Sequence, residues 1–191
     1  MAFDHNDHYH RRLLRLVPPG AKTALDVGCG TGRFARRLAA LGLEVDAVDP
    51  AEEVIEAAAP AQGVRYRHAD ITRMELGAGR YSYISCLASL HHVPFDTVTR
   101  LRDALAPGGV LAVLGCYPET TATDYAWSLV AVPVNAVARV ATAGRGTPSP
   151  APVRRPEMPL DEIRRQAAVL LPGATVSRLL FWRYLLAYRR P

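Results

Sequence analysis

The stretch that decides the fold is "TALDVGCGTGRFARRLA", which runs from Thr23 to Ala39. A short apolar run ends in three glycines, Gly28, Gly30 and Gly32, and a helical pattern follows them. A strand that turns into a helix through glycines brings the backbone close to a ligand at the carboxyl end of a parallel sheet. The stretch therefore predicts a binding loop for a nucleotide-like cofactor.

Short apolar runs alternate with helical patterns along the chain, which is typical of an α/β domain with a mainly parallel sheet. The predicted strands are Thr23–Val27, Glu44–Val48, Val64–His68, Tyr81–Ala88, Val110–Gly115, Thr175–Leu180 and Tyr184–Arg189. The predicted helices are Asp7–Leu16, Gly32–Leu41, Ala51–Ala59, Phe95–Ala106 and Leu160–Leu171. The last two strands are joined too tightly for a parallel crossover, so we expect them to form an antiparallel hairpin at the sheet edge.

The composition indicates one globular domain, residues 1–191, because 49% of the residues are apolar and the length can bury a substantial core. The net charge is +5, but the arginines are scattered along the chain. We interpret them as solvated helix faces and expect no nucleic-acid partner. Residues 117–159 begin with an apolar helical stretch and continue with a segment rich in Pro, Gly, Ser and Arg. We expect this insertion to form a lid and a linker.

The cysteines and the apolar stretches indicate a cytoplasmic protein. Cys29, Cys86 and Cys116 lack metal-ligand spacing, and their odd number argues against a disulfide framework. The N-terminus lacks the apolar core of a signal peptide. Tyr125 to Ala138 is too short to cross a bilayer and contains Pro133, so no membrane contact is expected.

The glycine spacing and the nearby acids narrow the choice of cofactor. The glycines read G-x-G-x-G, and Arg33 occupies the place of the third glycine of a dinucleotide motif. Asp26, just before the loop, would repel a phosphate but suits a cofactor with ammonium and sulfonium charges. Asp49, about 20 residues beyond the loop, suits ribose hydroxyls, and Asp70 could accept from an adenine amine. The alternative for each acid taken alone is that it caps a helix.

Five segments carry a family resemblance over roughly Ala24 to Gly115. They are "LDVGCGTGRFARRLA", "VDAVDP", "RHADI", "ISCLASLHHV" and "LAPGGVLAVLG". In this order and spacing the chain resembles the class I S-adenosylmethionine-dependent methyltransferases. The resemblance implies a Rossmann-like seven-stranded sheet with strand order 3-2-1-4-5-7-6, strand 7 antiparallel and helices on both faces.

The resemblance also implies S-adenosyl-L-methionine as the cofactor and a set of residues that bind it. Asp26 and the loop backbone would hold the methionine part, Asp49 the ribose, and Asp70 with Ile71 the adenine. Cys86 or Leu87 would cover the remaining side, and Tyr9 on the first helix would lie along the methionine or acceptor side. The complete set of implied cofactor-binding residues is Tyr9, Asp26, Gly28, Cys29, Gly30, Asp49, Pro50, Asp70, Ile71, Cys86 and Leu87.

The acceptor side is expected after the fourth strand, where the sequence reads Ser89, Leu90, His91, His92. Family members that act on planar amines of nucleobases or glutamine typically carry an acid or Asn, then Pro-Pro and an aromatic residue here. This sequence departs from that pattern, which favours a small molecule. His91 is the candidate general base, with Tyr9 as the second candidate catalytic residue. The alternative for His91 is that it caps or packs against the next helix.

The insertion contains residues that could line an apolar acceptor pocket, or form a plain core helix. They are Tyr117, Tyr125, Trp127, Leu129, Val132 and Val134. The spacing of His5 and His8 lacks further ligands nearby, so no metal is expected.

Together these features predict an enzyme that moves a methyl group to a hydroxyl, thiol or amine of a small molecule by direct displacement. The alternatives are an RNA or protein methyltransferase and a non-catalytic cofactor-binding subunit. We expect a monomer or a homodimer.

Overall fold

The computed structural model describes residues 5–121, 123–125 and 155–191, with side chains from His8 onward. The strands are β1 (Thr23–Val27), β2 (Glu44–Asp49), β3 (Val64–His68), β4 (Tyr81–Leu87), β5 (Leu105–Cys116), β6 (Thr175–Leu179) and β7 (Arg183–Arg189). The helices are α1 (His5–Leu14), α2 (Arg33–Ala39), α3 (Glu52–Glu56), α4 (Thr97–Ala104) and α5 (Leu160–Leu170), with a short 3-10 helix at Leu90–His92. Most of the predicted lid and linker, including Trp127, Leu129, Val132 and Val134, lies outside the described residues.

The seven strands form one sheet in the order β3-β2-β1-β4-β5-β7-β6. The first five strands pair in parallel, whereas β7 pairs antiparallel with both β5 and β6. The predicted strand order and the predicted antiparallel hairpin are therefore confirmed. The carboxyl ends of β1, β2, β4 and β5 meet at one edge of the sheet, and the start of β7 lies at the same edge because Arg183 pairs with Cys116.

Apolar side chains cover both faces of the sheet. One cluster packs Leu101 of α4 and Ile163 of α5 against the strands. The other packs Leu13 of α1 and Phe34 of α2 against the opposite face. Each fully buried side chain of this size contributes about 1.5–3 kcal/mol of transfer free energy. The two helical layers thus hold the carboxyl edge of the sheet in place.

Most observed element ends lie within two residues of the predicted ones, and the two largest differences are the start of β5 and the end of α3. Strand β5 begins at Leu105 rather than Val110, because Gly109 lets the chain approach β4 closely. A Cβ at Gly109 would lie 3.1 Å from the Tyr81 carbonyl oxygen. Helix α3 ends at Glu56 rather than Ala59, since the residues that follow are alanines that bury little and a proline that disfavours helix before it.

Within the described part of the chain, no helix combines the length and the apolarity needed to cross a bilayer.

Candidate active site

The glycine loop connects β1 to α2 and is tied to the end of β2. The backbone N–H groups of Gly28 and Cys29 both donate to the carbonyl oxygen of Val48, at 2.8 and 3.0 Å. Gly28, Gly30 and Gly32 have φ angles of 66°, 55° and 75°, in the left-handed region that favours glycine. The loop conformation therefore depends on glycine at these positions.

The three glycines have different surroundings. A Cβ at Gly28 would collide with the side chain of Ser89, and a Cβ at Gly32 would collide with the ring of Tyr66. A Cβ at Gly30 would meet nothing within 4 Å. The sequence predicts that all three glycines make room for a ligand, whereas the structure leaves open space only beside Gly30.

Asp49 closes β2 and contacts the loop. Its Oδ2 accepts a hydrogen bond from the Gly30 N–H at 2.9 Å, and its Oδ1 accepts one from the Ala51 N–H at 3.0 Å. A carboxylate has about four acceptor sites, so both oxygens retain capacity for further donors. The next residue, Pro50, is exposed, and its carbonyl oxygen lies 3.1 Å from Nε2 of His68. These bonds hold the Asp49 carboxylate beside the open side of the loop.

Asp26 lies in β1 beneath the loop and is 1% exposed. Its Oδ1 accepts a hydrogen bond from Ser85 Oγ at 2.7 Å, while Oδ2 has no hydrogen-bond partner among the described residues. Burial raises the pKa of Asp26 to about 7, and the charge of Asp49 adds to the rise. The Ser85 hydroxyl and the nearby Ala35 N–H oppose it. The site thus contains a buried acid that has no ion-pair partner in the part of the chain that the structure describes.

Asp70 and Ile71 follow β3 at the same edge of the sheet. Oδ1 of Asp70 accepts hydrogen bonds from the N–H and the hydroxyl of Thr72, at 2.8 and 2.7 Å, which lowers the Asp70 pKa. Its Oδ2 lies 3.8 Å from Nε of Arg73. The side chain of Ile71 is buried. Asp70 therefore caps the local turn with one oxygen, and the other points to a partly exposed surface.

Ser89 links the end of β4 to the glycine loop. Its hydroxyl donates to the carbonyl oxygen of Val27 at 2.7 Å and lies 3.0 Å from Sγ of Cys86. Cys86 is fully buried, and burial raises the pKa of its thiol to about 12. Leu87 is only partly buried. Ala88, which lies between Leu87 and Ser89, has a φ of 52°, so the chain turns sharply as it leaves the strand.

A cavity of about 330 Å³ opens at this turn. Its wall contains His91, with Cys116 from β5 and Tyr184 from β7. The ring of His91 lies 4.2 Å from the ring of His92, centroid to centroid. Both histidines line the cavity, but His91 is partly buried and His92 is exposed. Ser89, whose side chain lies against Gly28 of the loop, is two positions before His91 in the cavity wall.

Tyr9 lies on the other face of the sheet from the cavity helices. It is 7% exposed in the cluster of α1 and α2, and its hydroxyl donates to the carbonyl oxygen of Leu180 at 3.1 Å. Burial raises the Tyr9 pKa, while the charge of Arg183 opposes the rise. Tyr9 therefore attaches α1 to the turn between β6 and β7 at the carboxyl edge.

Sequence reasoning missed Ser85, Tyr66 and Arg183, which touch the site residues. Ser85 carries a usable signal, because it is a polar residue in the otherwise apolar strand stretch "YISCL". The sequence places Ser89 only in the segment after β4, because its contact with Gly28 depends on a pairing between distant strands. Among the residues that the structure covers, no group of three or more His, Cys, Asp or Glu side chains could hold a metal ion.

Comparison with known proteins identifies the family. Residues 24–109 match the family model described as a methyltransferase domain. An uncharacterized methyltransferase of Mycobacterium tuberculosis is 37% identical over 197 residues, which cover 97% of this chain and 96% of the relative. A ubiquinone biosynthesis O-methyltransferase of Xanthomonas axonopodis is 33% identical, over 68% of this chain and 56% of the relative.

Solved structures share the fold. A SAM-dependent methyltransferase from Aquifex aeolicus has a TM-score of 0.64 at 16% identity, covering 95% of this chain and 89% of that one. The magnesium protoporphyrin IX methyltransferase of Synechocystis with bound SAH has a TM-score of 0.63 at 18% identity, covering 98% and 83%. The chain belongs to the class I S-adenosylmethionine-dependent methyltransferases. Its cofactor is accordingly S-adenosyl-L-methionine.

The site fits a cationic cofactor on two observations. Oδ2 of Asp26 is buried without a partner among the described residues, and the space beside Gly30 is open. A positive charge near Asp26 would favour its ionised form, which burial otherwise disfavours.

Proposed function

We propose that this enzyme methylates a hydroxyl, thiol or amine of a small molecule. The observation that carries the proposal is the cavity of about 330 Å³ lined by His91, directly after the strand that supports the glycine loop. A cavity of this size, at the low end of ligand pockets, suits a compact molecule better than a protein segment or an RNA. Two similar proteins are named for ubiquinone biosynthesis and magnesium protoporphyrin IX, which also supports a small-molecule acceptor.

We propose that the cofactor is held along the carboxyl edge of β1, β2 and β3. Asp49 would accept from the ribose hydroxyls, because its oxygens are already oriented by the Gly30 and Ala51 N–H groups. Asp70 and Ile71 would contact the adenine. When bound, S-adenosylmethionine supplies an electrophilic methyl group on a positively charged sulfur.

The remaining proposed cofactor contacts surround the loop. Asp26 and the backbone of Gly28, Cys29 and Gly30 would face the methionine part. The list of other proposed contacts is Tyr9, Pro50, Cys86 and Leu87. Of these, Leu87 and Pro50 have exposed surface, while Tyr9 and Cys86 are buried and would act by shaping the pocket.

We propose His91 as the group that accepts a proton from the acceptor. An imidazole titrates near neutral pH, so it can take the proton from a hydroxyl or a protonated amine. A thiol acceptor needs little assistance, because its own pKa is near 8.5. The chain's main contribution is then to hold the acceptor atom in line with the methyl carbon and to exclude water. Residues 117–159 are our proposed cover for the acceptor within one methyltransferase domain.

The test incubates the protein with methyl-labelled S-adenosylmethionine and separate fractions of metabolites, RNA and protein. We expect label in a small molecule. For a hydroxyl acceptor, His91→Ala should lower kcat by about 100-fold or more without changing cofactor affinity. His92→Ala is the comparison within the same cavity wall and should lower kcat much less, because this side chain is exposed. Label only in RNA or protein, or no transfer at all, would contradict the proposal.

A further inference from the structure

Two arginines stand at the carboxyl edge of the sheet, beside the cavity rather than on the solvated helix faces. Arg178 lies near the end of β6 and Arg183 opens β7. Each has a buried guanidinium nitrogen without a hydrogen-bond partner among the described residues, Nη1 of Arg178 and Nε of Arg183. A buried N–H that lacks a partner costs free energy unless a ligand satisfies it.

The two arginines differ in how their charge is balanced. Nη2 of Arg178 forms an ion pair with Oδ1 of Asp124 at 2.8 Å, and its guanidinium lies 5.7 Å from the ring centre of Tyr117. Within the described ranges, no carboxylate pairs with Arg183. Its Nη1 instead contacts Sγ of Cys116, and burial raises the pKa of that thiol. The Cys116 thiol stays neutral near pH 7, so no group among the described residues balances the positive charge of Arg183.

Arg183 borders residues that line the cavity, although it is not itself among the lining residues. Its pairing partner Cys116 lines the same cavity as His91, and the next residue, Tyr184, lines it too. The guanidinium is a rigid fork of N–H donors that matches the oxygens of a carboxylate or phosphate. Strands β4 and β5 lie between β1 and β7, so Arg183 lies away from the glycine loop along the carboxyl edge of the sheet.

We propose that the acceptor carries a carboxylate or phosphate that binds Arg183, so that the enzyme methylates a small anion. This inference rests on the proposed small-molecule methyl transfer and names its substrate class. The oxyanion satisfies the buried Nε–H and balances the charge that the neutral Cys116 thiol leaves uncompensated. His91, on the cavity that Cys116 and Tyr184 also line, then faces the part of the acceptor that receives the methyl group.

The experiment measures binding of a matched pair of probes to the protein saturated with S-adenosylhomocysteine. The pair is 4-hydroxybenzoate and the neutral 4-hydroxybenzamide, with phenyl phosphate as a second oxyanion. We expect calorimetry to show at least about tenfold tighter binding of the oxyanions than of the amide. Arg183→Met should remove that preference, and Arg183→Lys should retain part of it, because lysine keeps the charge but loses the fork.

The matched control is Arg189→Met, an exposed arginine at the far end of the same strand. It changes the net charge equally and should leave the preference intact. Equal binding of the pair, no detectable binding of any probe, or an unchanged preference in Arg183→Met would overturn the proposal.

A second measurement distinguishes whether the oxyanion that binds Arg183 belongs to the acceptor or to the cofactor. S-adenosylmethionine itself bears a carboxylate, so its affinity is measured for the wild type and Arg183→Met. Unchanged cofactor affinity supports an acceptor anion, whereas a tenfold loss with no change in probe binding overturns it. If the transfer assay finds only neutral small acceptors, this inference fails while the proposed function holds. If no small molecule is methylated, the proposed function fails, and the probe preference is still measured without turnover.

Discussion

Asp49 is the side chain whose removal should affect cofactor binding most. Asp49→Ala deletes the acceptor of the Gly30 and Ala51 N–H groups and the proposed acceptor of the ribose hydroxyls. Each charge-assisted hydrogen bond is worth about 1.5–3 kcal/mol, so we expect affinity for S-adenosylmethionine to fall about 100-fold or more. Calorimetry measures the loss. Asp103→Ala, at an exposed acid, is the control and should bind normally. Normal binding by folded Asp49→Ala would refute the assignment.

Asp26 should make the stability of the protein depend on pH. Its pKa is about 7 in the folded chain, against an ordinary value of 3.8, so between these values the folded state binds more protons than the unfolded state. The free energy of unfolding therefore decreases as the pH rises from about 4 to about 7. Asp26→Asn keeps the acceptor for Ser85 and removes the titration. We expect this variant to gain about 2–4 kcal/mol over the wild type at pH 8 and little at pH 4.

Urea unfolding at the two pH values measures the Asp26 effect. Asp103→Asn, at an exposed position, serves as the control and should show no comparable gain. A gain that is the same at both pH values would show that Asp26 is not the titrating group.

The position of a residue at the sheet edge was predictable where the order of strands and loops along the chain alone brings it there. Asp26, Asp49 and Asp70 each end or precede a loop, so their edge position follows from the strand pattern. Their contacts were not predictable, because Asp26 meets Ser85 across a pair of strands 59 residues apart in sequence. The roles of these side chains in binding remain predictions.

In the glycine loop, substitutions at different glycines should affect the stability of the fold and cofactor binding to different extents. Gly28→Ala places a methyl group into the Ser89 side chain, so it should destabilise the protein by about 2 kcal/mol or more. Gly30→Ala meets only open space, so its cost should be about 1–2 kcal/mol, that of an alanine in the left-handed region. Because that methyl group enters the proposed cofactor space, Gly30→Ala should weaken cofactor binding more than it weakens folding.

Thermal unfolding and calorimetry on both glycine variants provide the measurements. Gly20→Ala is the control, since Gly20 also has a positive φ and open space but lies away from the site. Equal loss of cofactor affinity in Gly20→Ala and Gly30→Ala would remove the special role of the space beside Gly30.

The bounds of strands and helices were predicted well where the apolar periodicity is strong. They were predicted poorly where a glycine can either end an element or allow a close backbone contact. The strand starts at Thr23, Glu44 and Tyr81 agree with the structure, because each begins a buried apolar run. The stretch "APGG" predicts a stop, and α4 does end before it. The same glycines also allow the close approach that lets β5 begin early, and a sequence does not distinguish a turn glycine from a contact glycine.

For the whole molecule, the strand order followed from the family resemblance rather than from the residue pattern. Local periodicity predicts that strands exist, but strand neighbours depend on contacts between distant segments. The resemblance supplied the order, and the structure confirms it. The acceptor cavity could not be predicted in the same way, because His91, Cys116 and Tyr184 converge from three separate parts of the chain.

The sheet also separates a stabilising cluster from the binding edge. Asp46, inside β2, is 1% exposed and accepts from Arg65 at 2.9 Å, Arg80 at 2.7 Å and the Tyr81 hydroxyl at 2.9 Å. These bonds join β2, β3 and the start of β4 away from the carboxyl edge. Asp46 lies three residues before Asp49 on the same strand, so one strand carries both clusters.

Asp46→Ala should therefore reduce stability without affecting the cofactor site. It leaves the buried Tyr81 hydroxyl without its acceptor, while the two arginines, 59% and 40% exposed, can return to water. We expect a loss of about 2–3 kcal/mol in urea unfolding, below the full cost of breaking a buried pair. Cofactor affinity of the folded variant should stay within about twofold of wild type. In the double variant, the change in affinity caused by Asp46→Ala should add to that caused by Asp49→Ala. A large drop in affinity from Asp46→Ala alone would mean that the two clusters are coupled through β2.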